Sequence, residues 1–290
     1  MTTSTLRTVS ELRAQVRAWR DAGLSVGLAP TMGALHSGHM SLVHAALHRC
    51  DRVIVTLFVN PTQFGEGEDF SVYPRNEDAD RKLAEAEGAH VLFAPPVDEM
   101  YPPGAVTEVH VPGLDGVLEG AFRPGHFTGV ATVVTKLLSM AGADHAFFGE
   151  KDYQQLQVIK TLARDLCMAT EIHGVETMRE ADGLALSSRN AYLNEAERAT
   201  APQLNAVLRR VAEDFRGGAG GGELCRAAEA QLSELGFGPV DYVAIADASN
   251  LDALDSYDAD RPARVLAAAK LGRTRLIDNI AVDLVVDSGD

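Results

Sequence analysis

Two histidines three residues apart, His36 and His39, close the run Met32-Gly33-Ala34-Leu35-His36-Ser37-Gly38-His39. Their imidazoles can donate to a phosphate oxygen. Gly33, Ser37 and Gly38 are small enough to let the backbone approach a ligand. An apolar run at 24–29 reads as a buried strand before them, and 40–49 reads as a helix after them. A strand-to-helix junction is where open α/β sheets bind ligands. The helix N-terminus adds free N–H groups and positive dipole, which suit an anion. The pattern points to nucleotide chemistry without a phosphate-loop lysine. Zinc is the competing chemistry, because His44 and His48 follow at i, i+4 spacing. There is no HExxH and no neighbouring acidic or cysteine ligand, so an exposed helix face is the favoured reading for that pair.

Four further clusters carry reactive or recognising groups. Asn60-Pro61-Thr62-Gln63 ends a second apolar strand, and the Gln63 amide can both donate and accept, as a hydroxylated acid requires. Gly149-Glu150-Lys151-Asp152 again closes a strand and opens a helix. Lys151 offers a point charge for phosphate, Asp152 can orient it or cap the helix, and Gln155 lies one turn in. Leu186-Ser187-Ser188-Arg189-Asn190 offers two hydroxyls and a guanidinium, an anion clamp on a loop that could close over a nucleotide. Arg123-Pro124-Gly125-His126-Phe127 reads equally well as a turn before a helix or as a substrate contact. GxGxxG and GxxxxGK[ST] are both absent, which removes the usual dinucleotide and P-loop readings.

The elements that must position these groups alternate. Strands are expected at 24–29, 52–60, 90–93, 145–148 and 170–175. Helices are expected at 10–19 (capped by Ser10), 40–49, 77–87, 128–140 and 153–167. That rhythm predicts an α/β fold: a Rossmann-like parallel sheet with helices on both faces. The Gly- and Pro-rich stretch 95–125 reads as an insertion, with an edge strand at 108–111. After Met178 the style changes to one long amphipathic helix at 195–215 and a flexible glycine joint at 217–222. A helix at 223–235 and strands at 240–245, 264–269 and 274–286 follow. The expected division is a nucleotide- and substrate-binding domain over 1–177 and a smaller α+β lid domain over 178–290.

Composition narrows the class. The 290 residues are 46% hydrophobic, enough for a substantial core. A formal charge of −15 disfavours nucleic-acid binding and demands a local cationic pocket for any anionic substrate. The three cysteines, Cys50, Cys167 and Cys225, suggest no disulfide framework and hence a reducing compartment. No leader-like segment opens the sequence and no apolar run reaches membrane-span length, so a cytoplasmic protein without membrane contact is expected.

The HxGH pattern with a later Ser-Ser-Arg loop resembles the class I aminoacyl-tRNA synthetase and nucleotidyltransferase superfamily. Within it the chain is similar, nearly end to end, to the pantoate–β-alanine ligase family. The resemblance is carried by Pro30 to His39, Phe58 to Phe64, Tyr73-Pro74-Arg75, Arg123 to Phe127, Gly149 to Gln155, Leu186 to Asn190 and Thr274-Arg275-Leu276-Ile277-Asp278-Asn279. It implies an ATP-dependent ligation through an acyl adenylate, releasing AMP and pyrophosphate. It implies an ATP site of Met32, Gly33, Ala34, Leu35, His36, Ser37, Gly38, His39, Gly149, Glu150, Lys151, Asp152, Met178, Leu186, Ser187, Ser188 and Arg189. His39 would act as proton donor with His36 as its partner, and Lys151 would assist them. Gln63 and Gln155 would hold pantoate, with Gln63 also near β-alanine. Mg²⁺ would accompany ATP, with no protein ligand assigned to it, because Ala79 interrupts the acidic run Glu77, Asp78, Asp80. A homodimer is implied. The alternatives are another HxGH adenylyltransferase acting on a different small carboxylate or nucleotide, and a noncatalytic nucleotide-binding protein.

Overall fold

The computed structural model describes residues 3–282. The chain forms two compact units. One runs up to Glu150 and includes Gln154–Met178; the other comprises Lys151–Tyr153 and the chain from Arg179 onward.

The first unit is built in the order β1 (Ser4–Leu6), α1 (Val9–Asp21), β2 (Val26–Thr31), α2 (Ser37–Arg49), β3 (Arg52–Leu57), α3 (Glu77–Ala86) and β4 (Val91–Phe93). It continues with α4 (Val97–Met100), α5 (Glu119–Phe122), α6 (His126–Ala141), β5 (His145–Gly149), α7 (Tyr153–Asp165) and β6 (Glu171–Val175). The six strands are parallel, in the order β1-β4-β3-β2-β5-β6. Val26, Leu28, Ala29, Val53, Ile54 and Val55 are wholly buried, as strands covered on both faces require. The chain runs outward from β2 through β3 to β4, then returns to place β5 on the other side of β2. The sheet therefore switches direction between β2 and β5, and the turn leaving β2 emerges at the switch.

The second unit contains α8 (Glu195–Thr200), α9 (Gln203–Arg216), α10 (Gly221–Glu234) and an antiparallel sheet of β7 (Val240–Asp247), β8 (Ala263–Leu271) and β9 (Thr274–Ala281). Leu204, Val207, Leu208, Val211 and Phe215 recur at helical spacing on α9 and join Leu232, Val265 and Ile280 in its core.

Several expectations are corrected. α1 is capped by Thr8, in a reciprocal box with Glu11, and not by Ser10. The segment 195–215 is two helices, since Pro202 cannot continue the first. The glycine run is a tight helix connection and not a flexible joint. Gly221 already opens α10, where a Cβ would lie 2.3 Å from the Leu254 carbonyl oxygen. No strand forms at 108–111. β1 went unpredicted because three residues carry no period. The part of 274–286 beyond 282 lies outside the described residues.

Candidate active site

The turn after β2 is held from outside. Gly33 and Ala34 both adopt left-handed backbone, with φ of 95° and 52°. Asp80, on α3, is 5% exposed and accepts the Ala34 N–H at 3.0 Å and the Leu35 N–H at 2.7 Å. A Cβ at Gly33 would stand 3.1 Å from the same carboxylate. Two backbone donors expected to face a ligand are thus already engaged by a side chain.

His36 then caps α2. Its Nδ1 accepts the Gly38 N–H at 3.1 Å, and His39 Nδ1 accepts the His36 N–H at 3.3 Å. The rings lie 4.1 Å apart, centre to centre. The helix therefore starts at Ser37 and not at 40, and the pair satisfies part of its own N-terminus. A nitrogen that accepts N–H carries no proton, so each neutral ring bears its proton on Nε2. The reciprocal cap fixes both histidines as Nε2–H donors.

Gln63 ends a short turn, Pro61–Gln63, after β3. Asn60, 1% exposed, donates to Gly129 O at 3.1 Å and to Gln63 Oε1 at 3.2 Å. Its own oxygen accepts the Tyr101 hydroxyl at 2.9 Å. Gly129 must be glycine here, because a Cβ would fall 2.4 Å from Thr62 O. Gln63 Nε2 lies 3.0 Å from Met32 Sδ, so these two predicted site residues are brought together. The Gln63 carbonyl accepts His126 Nδ1–H at 2.8 Å and Arg123 Nη2 at 3.4 Å. Arg123 is itself clamped to both oxygens of Glu68. Burial and then the Arg123 charge push the His126 imidazole down to about 4, so it is neutral near pH 7. Burial pushes the Glu68 carboxyl up, but its bonds to Arg123 outweigh this and hold it below the usual range.

Gln155 is half-buried on α7. Its neighbour Gln154 is structural: it donates to Leu114 O and Val117 O and accepts the Glu119 N–H. Gly149 ends the same unit's β5 and Glu150 opens the turn that follows, and Met178, the unit's last residue, is exposed. His44 pairs with Glu87 at 2.7 Å on the outer face of α2, away from any catalytic grouping.

In the second unit, Lys151 Nζ lies 3.9 Å from Asp152, and Asn279 Nδ2 donates to the Lys151 carbonyl at 2.9 Å. The neighbouring Asp278, 3% exposed at its side chain, takes Arg179 in a two-pronged pair at 2.8 and 2.9 Å and accepts Asn205 at 3.0 Å. The Thr274–Asn279 motif is thus a scaffold for Lys151 and for Arg179, which precedes the Ser-Ser-Arg segment. Ser187 Oγ accepts the Arg189 N–H at 3.3 Å and starts the turn Ser188–Tyr192, while Asn190 ties back to Ala185 O at 3.1 Å.

A sequence profile described as pantoate-beta-alanine ligase matches residues 4–281. The chain belongs to the pantoate–β-alanine ligase family. Pantothenate synthetases of Paramagnetospirillum magneticum and Rhodospirillum rubrum are each 55% identical to it, over 96% and 95% of this chain and 97% and 98% of theirs. The crystal structure of pantothenate synthetase from Thermus thermophilus superposes with a TM-score of 0.87 at 44% identity, covering 97% of this chain and 99% of that one. A Francisella tularensis pantoate-beta-alanine ligase, complexed with β,γ-ATP and β-alanine, gives 0.81 at 32% identity, covering 97% and 98%. The six-stranded parallel sheet with its smaller antiparallel companion matches the fold expected from the family resemblance.

Within this ligase, the residues that sequence reasoning misses are the supporting ones. Asp80 enters it only as part of an interrupted acidic run given no role, yet it holds the turn before the histidines. Arg123 and His126 stand there between turn and substrate contact, and they hold the Gln63 backbone. An aspartate one turn into a helix gives no sign of a partner some 45 residues upstream. The one available signal is the Gly33-Ala34 pair, whose backbone needs an external acceptor.

Proposed function

We propose that this chain condenses pantoate with β-alanine at the expense of ATP, through a pantoyl adenylate. The observation that carries the reading is the reciprocal His36–His39 cap at the topological switch point. It presents fixed Nε2–H donors in the same unit as the neutral amides Gln63 and Gln155. In the first step a pantoate carboxylate oxygen attacks the α-phosphorus and pyrophosphate leaves. Negative charge grows on the phosphate oxygens, where preorganised donors act most strongly, at about 3–4 kcal/mol each in well-studied cases. In the second step the β-alanine amine attacks the acyl carbon and AMP leaves as the C–N bond forms. Neutral amides suit pantoate, because a cation on its carboxylate would lower its nucleophilicity toward phosphorus.

The remaining ATP assignments, Met32 to Gly38, Gly149 to Asp152, Met178 and Leu186 to Arg189, belong to the same proposal. So does Mg²⁺, which would shield the phosphates. Asp80 already holds two backbone N–H groups, so the phosphate oxygens and water are the fitting ligands for a hard cation that retains much of its hydration. A homodimer is also proposed; sedimentation as a monomer at micromolar concentration would reject it. Product analysis tests the reaction. ATP, pantoate and β-alanine should give pantothenate and AMP in equal amounts, whereas ADP as the nucleotide product would refute adenylation.

A further inference from the structure

At the amino-terminal ends of β5 and β6, the sheet edge opposite the His36–His39 turn, register sets His145 directly across from Glu171 and Phe147 across from His173. Alternation along β6 puts Glu171 and His173 on one face, with His145 beside them. His145 Nδ1 and His173 Nε2 are 3.0 Å apart. Glu171 offers one oxygen 3.3 Å from the first and the other 3.6 Å from the second. An ordinary N–H···O bond is about 2.7–3.2 Å, so the carboxylate stands off both rings. A tetrahedral ion with ligand bonds of about 2.0–2.1 Å has ligand atoms about 3.3–3.4 Å apart, and the distances among these groups, 3.0 Å between the rings and 3.3 and 3.6 Å to the two carboxylate oxygens, bracket that spacing. His173 stacks on Phe147 at 4.9 Å, which fixes its ring.

We propose that His145, Glu171 and His173 bind a divalent transition cation of the zinc class, with water completing the tetrahedron. The site is separate from the ligase chemistry. It ties the first residues of β5 to β6 and so acts on stability. The two rings share a proton without metal. To ligate, each turns a lone pair inward, the donor ring moving its proton to its other nitrogen. Arg49, 3.8 Å from Glu171, is the competing cation.

The test uses the full chain without nucleotide, in a noncoordinating buffer. Co²⁺ binding is read by its tetrahedral absorption bands and Zn²⁺ by competition with a chromophoric chelator. One equivalent should bind and raise Tm. His145→Asn and His173→Gln should each weaken binding at least tenfold while leaving the Mg²⁺-supported ligation unchanged. Arg49→Met, at an exposed side chain that threatens no fold, should tighten it severalfold. No stoichiometric binding, or wild-type affinity retained in both histidine variants, would mean that the cluster is only a hydrogen-bonded pair. Unchanged affinity in Arg49→Met would remove Glu171 from the ligand set.

Discussion

The turns after β2 and β3 leave adjacent central strands, yet they are secured by different means. The first carries strained backbone at Gly33 and Ala34 and is fastened by one remote carboxylate, Asp80. The second is unstrained and is fastened by a network: Asn60 on its side chain, and His126 and Arg123 on its backbone. In the proposed reaction the first turn presents hydrogen-bond donors to a polyanion, and it is held by an anion behind it. The second would present a neutral amide to the acid, and it is held by neutral groups and by an arginine already paired with Glu68. The difference predicts distinct failures, of rate in the first turn and of substrate affinity and acid stability in the second.

The largest effect should come from the donors themselves. His39→Ala and Lys151→Ala should each lower adenylation on the order of a hundredfold or more. Circular dichroism should stay unchanged, because both residues lie at strand-to-helix turns and not in a core. Next, Asp80→Ala should leave two N–H groups without their acceptor and free the strained turn. Displacing a reacting group by about 1 Å can cost on the order of a hundredfold. The loss should fall on kcat, and Asp80→Asn, which keeps one acceptor, should recover part of it. A fall in pantoate affinity alone would show that Asp80 serves the wrong turn.

Smaller effects belong to the second turn. Gln63→Ala and Gln155→Ala should each raise the pantoate requirement about tenfold, since an unpaired buried group costs about 1–3 kcal/mol. The ATP requirement should change far less; equal losses for both substrates would mean that these residues shape the whole site. His126 gives a pH signature. Its folded pKa of about 4 lies below its ordinary 6.5, so the unfolded chain takes up a proton that the native state refuses. Stability should be full above about pH 6.5 and should fall by up to about 3 kcal/mol as pH drops toward 4. His90 and His173, also held low by burial, add slope of the same sign. Denaturant titrations of the wild type and His126→Asn isolate the part due to His126, which the variant should lose.

Much of the fold was legible because the signals were local and periodic. The runs expected as strands at 52–60 and 145–148, which end at Leu57 and Gly149, and the apolar stripe on α9 declare their elements within a few residues. The candidate chemical groups stood out for a related reason: His36, His39, Gln63 and Lys151 lie in short motifs at strand ends, and Arg189 in a short polar turn. What holds them did not. Asp80 acts across 46 residues and Asn279 across 128, and neither has a pattern beside it. The misplaced strand at 108–111 alternated correctly, but it had no neighbouring strand to pair with. The reading of Gly217 to Gly222 as flexible took the absence of side chains for looseness, whereas at Gly221 it permits close packing against Leu254.

The central claim is that adenylation of pantoate is a complete half-reaction. Exchange of labelled pyrophosphate into ATP should therefore require pantoate and Mg²⁺ and proceed without β-alanine. His39→Ala should suppress it in step with the overall rate. Exchange that appears only when β-alanine is present would contradict the adenylate and the roles assigned to both turns.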